Sequence, residues 1–353
     1  MSLAPGATIG ILGGGQLGRM LSVAASRLGF HCHIYDPDPQ APAAQVAHAH
    51  TCAAYDDTAA IAAFADAIDV VTYEFENIPT QTLDAIEARA PIHPNRRALA
   101  TSQDRLVEKD FLTDLGLTCA PYAEIPTAGE LAQVLPIFGG GILKTRRYGY
   151  DGKGQQRLGP DDDPAAAYEA AAEAGAILEG LVAFSCEISV IAARGQDGQI
   201  ACFDPGENVH EDGILRTTTV PAKVPARLKT DAVLAASQIL NALDYVGVLG
   251  VEFFVTPGQL IVNEIAPRVH NSGHWTQNGC TIDQFEQHIR AIAGWPLGDG
   301  TRHADVEMEN LIGDDVDKVP GYAATGAAIH LYGKAEARPG RKMGHVNRIL
   351  SRE

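Results

Sequence analysis

Short apolar runs alternate with amphipathic stretches from the start of the chain. Thr8-Ile-Gly-Ile-Leu12 predicts a buried strand, and Gly13 to Gly18 a tight turn after it. Arg19 to Leu28 has helical periodicity, and His31 to Asp36 predicts a second strand that runs into Asp36-Pro-Asp-Pro39. Asp69-Val-Val-Thr-Tyr73 predicts a third, with Ala-rich helical segments between. Strands alternating with helices predict a parallel, doubly wound sheet over about the first hundred residues.

The pattern then changes. A charged helix is predicted from Asp104 to Leu115, and strands at 141–144, 176–179, 186–193, 248–255 and 259–265. Helices are predicted at 228–243 and from Phe285 to Ala293. Strands here follow strands more than helices, which predicts a separate α+β domain. From 299 to 353 short apolar runs and glycines predict a small β-rich cap.

Length and charge narrow the functional classes. A chain of 353 residues exceeds what one core usually serves, so two or three domains are expected. A net charge of −17 argues against non-specific binding to nucleic acid or to an anionic membrane surface, but not against a local phosphate site. The six cysteines are scattered without metal-ligand spacing, as expected for free thiols in a reducing compartment. No apolar run is long enough to span a membrane, and the first residues lack a signal-peptide pattern, so a cytoplasmic location is expected.

Four stretches carry candidate chemistry. The first is Thr145-Arg-Arg-Tyr-Gly-Tyr-Asp-Gly-Lys-Gly-Gln155, which follows the strand ending at Lys144. Glycines 149, 152 and 154, flanked by Lys144, Arg146, Arg147 and Lys153, suit a lid whose N–H groups close over phosphates. An exposed basic hairpin tip fits the same residues. The second stretch is Gly13-Gly-Gly-Gln-Leu-Gly18, with Asp36 closing the next strand. That spacing matches the dinucleotide fingerprint, yet its physics, a bare helix N-terminus facing an anion, serves many ligands.

The third is a hairpin. Gly250 to Val255 and Gln259 to Ile265 flank Thr256-Pro-Gly258. A turn centred on Gly258 pairs 255 with 261 and 253 with 263, and so sets Glu252 opposite Glu264. Directly opposed side chains lie roughly 4.5–5.5 Å apart at Cβ, and like charges there destabilise a sheet unless a cation joins them. Mg²⁺, which takes one or two carboxylates plus phosphate oxygens, suits such a pair; a register slip that turns one carboxylate outward is the alternative. The fourth stretch, Pro267 to Trp275, holds Arg268 for a phosphate clamp and His270 and His274 for proton movement. Weaker signals are the strand end Glu179-Gly-Leu-Val182, suited to an adenine edge, Glu187, suited to ribose hydroxyls, and the basic loop around Lys342.

Taken together these segments resemble the ATP-grasp ligases, and within them the branch that carboxylates an aminoimidazole ribonucleotide. The resemblance rests on Ile9 to Met20, Thr72-Tyr-Glu-Phe-Glu-Asn-Ile-Pro79, Gln103 to Lys109, Tyr148 to Gln155, Glu207 to His210, Asn263 to Arg268, Asn271 to His274, Gln284 to His288, His330 to Lys334 and Gly340 to His345. It implies an ATP-grasp fold of mixed α/β and α+β class. A Rossmann-like domain is expected over 1–100, an ATP-grasp domain over 101–297 with a lid subdomain at about 118–183, and a small C-terminal domain over 298–353.

The same resemblance implies ATP contacts from Arg105, Lys144, Gly149, Tyr150, Asp151, Gly152, Lys153, Gly154, Gln155, Glu179, Gly180, Leu181, Val182, Glu187, His210, Asn263 and Glu264. It gives Mg²⁺ to Glu252 and Glu264. Many members of the superfamily place Asn two residues after the second Glu; here Ala266 stands there, so water or phosphate oxygen must replace a third protein ligand. The implied reaction joins ATP, bicarbonate and 5-aminoimidazole ribonucleotide through carboxyphosphate, as a step of purine biosynthesis, in a homodimeric enzyme. Tyr150, Lys153, Glu76 and His274 are expected to line the bicarbonate and amine pocket, and Arg268 to hold carboxyphosphate. Glu76 or His274 is expected to take the amine proton. Gln16, Leu17, Glu76, Asn77, Arg268, Asn271, Ser272, His274 and Lys342 are expected around the ribonucleotide.

Three other classes fit parts of the chain. An NAD-dependent oxidoreductase explains the glycine turn and Asp36 but leaves Glu252 and Glu264 without a role. A different carboxylate–amine ligase, or a formate-using relative, shares the ATP residues. A non-catalytic nucleotide-binding regulator has no use for an intact lid, two metal carboxylates and the 267–275 cluster.

Overall fold

The computed structural model describes residues 2–149, 153–171 and 175–350. The first unit is built from β1 (Thr8–Leu12), α1 (Gln16–Arg27), β2 (His31–Tyr35), β3 (Ala49–Thr51), α2 (Thr58–Asp66), β4 (Val70–Tyr73), α3 (Thr80–Glu87) and α4 (Arg96–Ser102). Its four strands are all parallel, in the order β3-β2-β1-β4. The apolar runs of β1 and β4 are buried throughout, as a sheet covered on both faces requires.

Helix α5 (Arg105–Asp114) leads into a second unit made of β5 (Tyr122–Ile125), α6 (Ala128–Phe138), β6 (Gly141–Thr145), β7 (Gln155–Leu158), α7 (Pro164–Glu169) and β8 (Ala176–Gly180). Its antiparallel sheet, ordered β5-β8-β6-β7, packs on α6 and α7 around a small core of its own that includes Ile125, Leu131, Leu143 and Leu178. Helix α6 ends on Gly139 in the left-handed region, the usual residue for that position. The glycine-rich loop joins β6 to β7, so Lys144 and Gln155 face each other at its base.

The remaining elements are β9 (Cys186–Arg194), β10 (Ile200–Cys202), β11 (Gly206–Glu211), β12 (Ile214–Val220), α8 (Ala226–Ala242), β13 (Gly247–Thr256), β14 (Gln259–Ala266), α9 (Thr276–Gly279), α10 (Gln284–Ile292), β15 (Asp305–Ile312), α11 (Val319–Ala324), β16 (Ala328–Leu331) and β17 (Lys342–Leu350). Among the described residues they form one antiparallel sheet, ordered β14-β13-β9-β11-β12-β15-β17-β16, with β10 beside β9. The C-terminal strands therefore do not form a sheet of their own: β12 pairs with β15 and carries the central sheet onward. That pairing joins residues nearly a hundred positions apart, and no local pattern announces it. Helix α10 packs between α1 and the central sheet, and one core runs from Ile9 and Leu21 through Phe285 and Ile289 to Trp275.

Candidate functional site

The hairpin of β13 and β14 sets Glu252 directly opposite Glu264. The outer pairing differs from the one the turn predicts: Phe253 faces Val262 and Val255 faces Leu260, because the turn is centred between Pro257 and Gly258. A bulge between Glu252 and Phe253, with Asn263 as the extra residue on β14, resets the register by one. The two carboxylates thus share a face only because of the bulge.

Their environments differ. Arg105 Nη1 lies 3.2 Å from Glu264 Oε2. Burial raises the Glu264 pKa, but Arg105 and Lys144 outweigh it and hold the group down at about 2. Glu252 has no such partner; burial and then the charge of Glu264 push it up to about 7. The Asn263 amide donates to Glu252 Oε2 at 3.3 Å, and His270 Nε2 lies 3.6 Å from Oε1. Two hard oxygen donors that repel each other across a strand pair fit a divalent cation. Among the described residues no group of three or more Asp, Glu, His or Cys is arranged to hold a metal ion.

Several of the residues expected around a nucleotide are linked to this pair through Arg105. Asp104 caps α5 by accepting the Leu106 N–H, which presents Arg105 at the first turn. Arg105 Nη2 also reaches the Gly149 carbonyl at 3.5 Å, at the base of the glycine loop. Gly154 adopts φ 71°, and a Cβ there would stand 2.6 Å from Thr145 Oγ1, so the loop closes on its own stem. Lys153 and Gln155 are exposed at that stem, whereas Tyr150, Asp151 and Gly152 lie outside the described residues.

Lys144 Nζ donates to Glu179 Oε2 at 2.9 Å, and Lys109 Nζ lies 3.6 Å from the same oxygen. The Glu179 side chain is therefore turned into the protein, leaving the backbone from Gly180 to Val182 at the strand end, with Leu181 exposed. On β9 and β11, His210 Nδ1 lies 3.1 Å from Glu187 Oε2. Burial lowers the His210 pKa, but Glu187 and Glu252 more than reverse it.

On the other side, Arg268 Nη2 lies 2.7 Å from Glu76 Oε1, bringing the β4 and β14 ends together. Asn77 beside it is exposed. His270 Nδ1 lies 2.8 Å from Ser272 Oγ, which in turn accepts from Ser189 Oγ at 2.7 Å. Burial and then Arg268 press the His270 pKa down to about 3, so the ring is neutral and its Nε2 side faces Glu252. At the first turn of α1, Gln16 Oε1 accepts from Lys334 Nζ at 2.6 Å, and the same Nζ donates to the Lys342 carbonyl. A cavity of about 340 Å³ lies between this turn and the C-terminal loop, lined by Asp36, Tyr55, Phe75, Lys334 and Arg341 among others.

Four expected substrate contacts are placed differently. His274 is fully buried, with Gln284 Nε2 3.0 Å from its Nδ1 and its ring packed against Phe285 and His345. Burial and neighbouring histidines hold its pKa well below the usual value, so it does not reach the cleft as a proton acceptor. The Asn271 side chain is spent on a reciprocal amide pair with Asn310. Ser272 is 1% exposed and engaged by Ser189 and His270, and the Leu17 side chain lies in the core.

The dinucleotide fingerprint is occupied from within. Glu74 Oε2 accepts the Gly18 N–H at 2.6 Å and Oε1 accepts the Gly15 N–H, while Asp36 Oδ2 accepts the Gly14 N–H at 2.6 Å. A Cβ at Gly13 would stand 2.4 Å from Glu74 Cγ, and one at Gly15 2.5 Å from Glu74 Oε1. The glycines admit a resident carboxylate at the place where a pyrophosphate sits in dinucleotide binders. Glu74 carried no signal of its own in the sequence beyond its place in Thr72 to Pro79. Glu108 and Lys109 lay within the charged helix expected from Asp104 to Leu115, but their partners Ile265 and Asn263 are set by tertiary contacts that no local pattern shows.

Three family models match the chain in order: the ribonucleotide synthetase preATP-grasp domain over residues 6–103, the ATP-grasp domain over 110–285, and the phosphoribosylaminoimidazole carboxylase C-terminal domain over 307–353. The N5-carboxyaminoimidazole ribonucleotide synthase of Brucella melitensis is 55% identical, covering 99% of this chain and 98% of its own. That of Bacillus subtilis is 41% identical over 97% and 91%. A crystal structure of an N5-carboxyaminoimidazole ribonucleotide synthetase in complex with ADP superposes with a TM-score of 0.95 at 41% identity, over 99% of this chain and 94% of that one. The Aspergillus clavatus enzyme in complex with ADP and 5-aminoimidazole ribonucleotide gives 0.91 at 32%, over 98% and 94%. The chain belongs to the N5-carboxyaminoimidazole ribonucleotide synthase family of ATP-grasp enzymes.

Proposed function

We propose that the chain catalyses the ATP-dependent carboxylation of 5-aminoimidazole ribonucleotide by bicarbonate, giving N5-carboxyaminoimidazole ribonucleotide, ADP and phosphate. The observation that carries this reading is the opposed pair Glu252 and Glu264 with Arg105 on one side and the Glu76–Arg268 ion pair on the other. On this reading the carboxylate pair with Arg105 handles phosphate, and the Glu76–Arg268 ion pair handles bicarbonate and the amine.

Bicarbonate is a poor electrophile because its leaving group is hydroxide. Transfer of the γ-phosphoryl group makes carboxyphosphate, whose leaving group is phosphate, and the exocyclic amine then attacks that carbon or the CO₂ it releases. In-line transfer depends on positioning and charge neutralisation. Mg²⁺ held by Glu252 and Glu264 would neutralise β- and γ-phosphate charge. Arg105, already against Glu264, and Lys144 point cationic groups at the same place. Closing the 149–155 loop keeps water from carboxyphosphate.

Arg268 offers a guanidinium to carboxyphosphate, and Glu76, 2.7 Å from it, is the carboxylate placed to accept the amine proton. His270, held at Nδ1 by Ser272 with its Nε2 3.6 Å from Glu252 Oε1, packs against a metal carboxylate and is assigned to orient it rather than to take the proton. Gln16 and the Lys342 carbonyl are both bonded by Lys334, which lines the cavity between the first domain and the C-terminal loop, and the ribonucleotide is assigned to that cavity. Glu187 and His210 take the ATP ribose, and the backbone from Gly180 to Val182 takes the adenine edge. A cytoplasmic homodimer accompanies this reading, and sedimentation at micromolar concentration tests its stoichiometry.

The deciding experiment is phosphate release from ATP in the presence of Mg²⁺, with bicarbonate, the ribonucleotide, or both. Release that needs both substrates is expected. Release driven by formate or by an amino acid in place of bicarbonate would assign the chain another ligase activity.

A further inference from the structure

Among the described residues strand β14 is an edge of the central sheet, so one row of its backbone groups has no strand beside it. Those groups are met one after another. The Val262 N–H donates to the Thr118 carbonyl at 2.8 Å, the Asn263 carbonyl accepts from Lys109 Nζ at 2.6 Å, and the Ile265 N–H donates to Glu108 Oε1 at 3.1 Å. Between the last two stands Glu264, whose carboxylate meets Arg105. Positions 105, 108 and 109 lie on one face of α5, three and four residues apart. One helix face therefore holds three consecutive residues of the strand: the carboxylate of Glu264, the carbonyl before it and the N–H after it.

The cost of this arrangement shows that it is specific. Glu108 is 4% exposed and Lys109 2%. Charged side chains are rarely buried this far unless paired. Lys109 also lies 3.6 Å from Glu179 Oε2, which ties the strand end at the adenine hinge to β14. Neither the Glu108 nor the Lys109 side chain reaches the cleft.

We propose that Glu108 and Lys109 are positioning residues that replace the missing neighbour strand at the bulge and thereby fix the Glu264 carboxylate for the nucleotide-bound divalent cation. The proposal rests on the reading of Glu264 as a cation ligand. Partners that orient a ligating group typically change metal affinity or activity 10–100-fold when removed.

The test measures ADP affinity by calorimetry on the full chain, in Mg²⁺ and in EDTA, for Glu108→Ala, Glu108→Gln, Lys109→Met and Glu264→Gln. The gain in ADP affinity on adding Mg²⁺ is expected to fall at least about tenfold in Glu108→Ala and Lys109→Met. Affinity in EDTA stays within about threefold of the parent in Glu108→Ala, since that residue touches no nucleotide element. Glu108→Gln keeps both values, because the amide oxygen still accepts the Ile265 N–H and no charge is needed. If Lys109→Met does not fold, the Glu108 pair alone decides. A full Mg²⁺ effect in Glu108→Ala, or its loss in Glu108→Gln, overturns the positioning role. A full Mg²⁺ effect in Glu264→Gln overturns the cation reading itself, so the two failures are separable.

Discussion

Glu74 Oε2 accepts the Gly18 N–H at 2.6 Å, inside the first turn of α1. The helix carries no acidic residue in that turn and no side-chain cap, so Glu74, from the end of β4, serves as its anion. Replacing it with Ala leaves the Gly15 and Gly18 N–H groups without their partner. A loss of about 1–3 kcal/mol in stability is expected, measured by urea unfolding of the first transition. The parent chain should not quench or enhance NADH fluorescence. Saturable NADH binding to the parent would mean that Glu74 leaves the turn, and the oxidoreductase class would return.

Glu264→Gln should reduce ribonucleotide-dependent phosphate release by at least about 10²-fold, since cation stabilisation of transferring phosphate contributes several kcal/mol. Turnover unchanged within a few-fold would remove Glu264 from the chemistry.

The metal-free protein should lose stability as pH rises through about 7. Glu252 is pushed up to about 7 by burial and by Glu264, whereas its unfolded value is near 4.5. A raised carboxyl binds its proton more tightly in the folded state, so the stabilisation is present at pH 4.5 and lost above 7. Glu108 slopes the same way, so the decisive quantity is a difference. Between pH 5 and 8 in EDTA, Glu252→Gln should lose less melting temperature than the parent. Parallel profiles for the two proteins would show that the Glu252–Glu264 repulsion is not felt.

How far the site could be read from sequence depends on the range of each interaction. The opposition of Glu252 and Glu264 follows from two apolar runs about one turn, and it survives although the outer pairs are 253 with 262 and 255 with 260. The expected register was off by one near the turn, and the bulge at Asn263 cancelled the error. A glycine-rich connection after the strand at 141–144 was legible from glycines beside cations, and β6 and β7 flank it. By contrast, Glu74 enters the glycine turn from 59 positions away, and Ile265 meets Glu108 across 157. Neither contact leaves a local period or spacing. The β-rich character of 299–353 was legible, whereas its pairing with β12, across the chain between residues 220 and 305, was not. His274 misled for a different reason: a polar residue in a polar motif suggests a cleft, yet Gln284, Tyr332 and His345 accept it into the core.

That burial makes His274 a test of location against chemistry. His274→Asn should lower the melting temperature by several degrees, in line with about 1–3 kcal/mol for a disturbed buried hydrogen bond. Below the transition kcat should remain within about threefold of the parent. A drop beyond about 10²-fold with an unchanged melting temperature would give His274 a part in proton transfer after all.

Lys144 and Lys342 should separate the two substrates kinetically. Lys144 sits at the mouth of the lid stem and repels Arg105 and Lys109, and burial followed by those charges lowers its pKa although Glu179 opposes the shift. A lysine so placed is relieved when phosphate oxygens arrive, so Lys144→Met should raise KM for ATP by about 1.5–3 kcal/mol, roughly ten- to a hundredfold, and leave KM for the ribonucleotide nearly unchanged. Lys342 opens β17 and follows Arg341, which lines the cavity with Lys334. Lys342→Ala should therefore raise KM for the ribonucleotide by the same amount and leave KM for ATP alone. Initial rates with each substrate varied at saturating levels of the others measure both. If Lys342→Ala raises KM for ATP only, the cavity between the glycine turn and the C-terminal loop is not the ribonucleotide site, and the nucleotide must reach further toward β17 than the placement of Lys144, Glu179 and Glu264 allows.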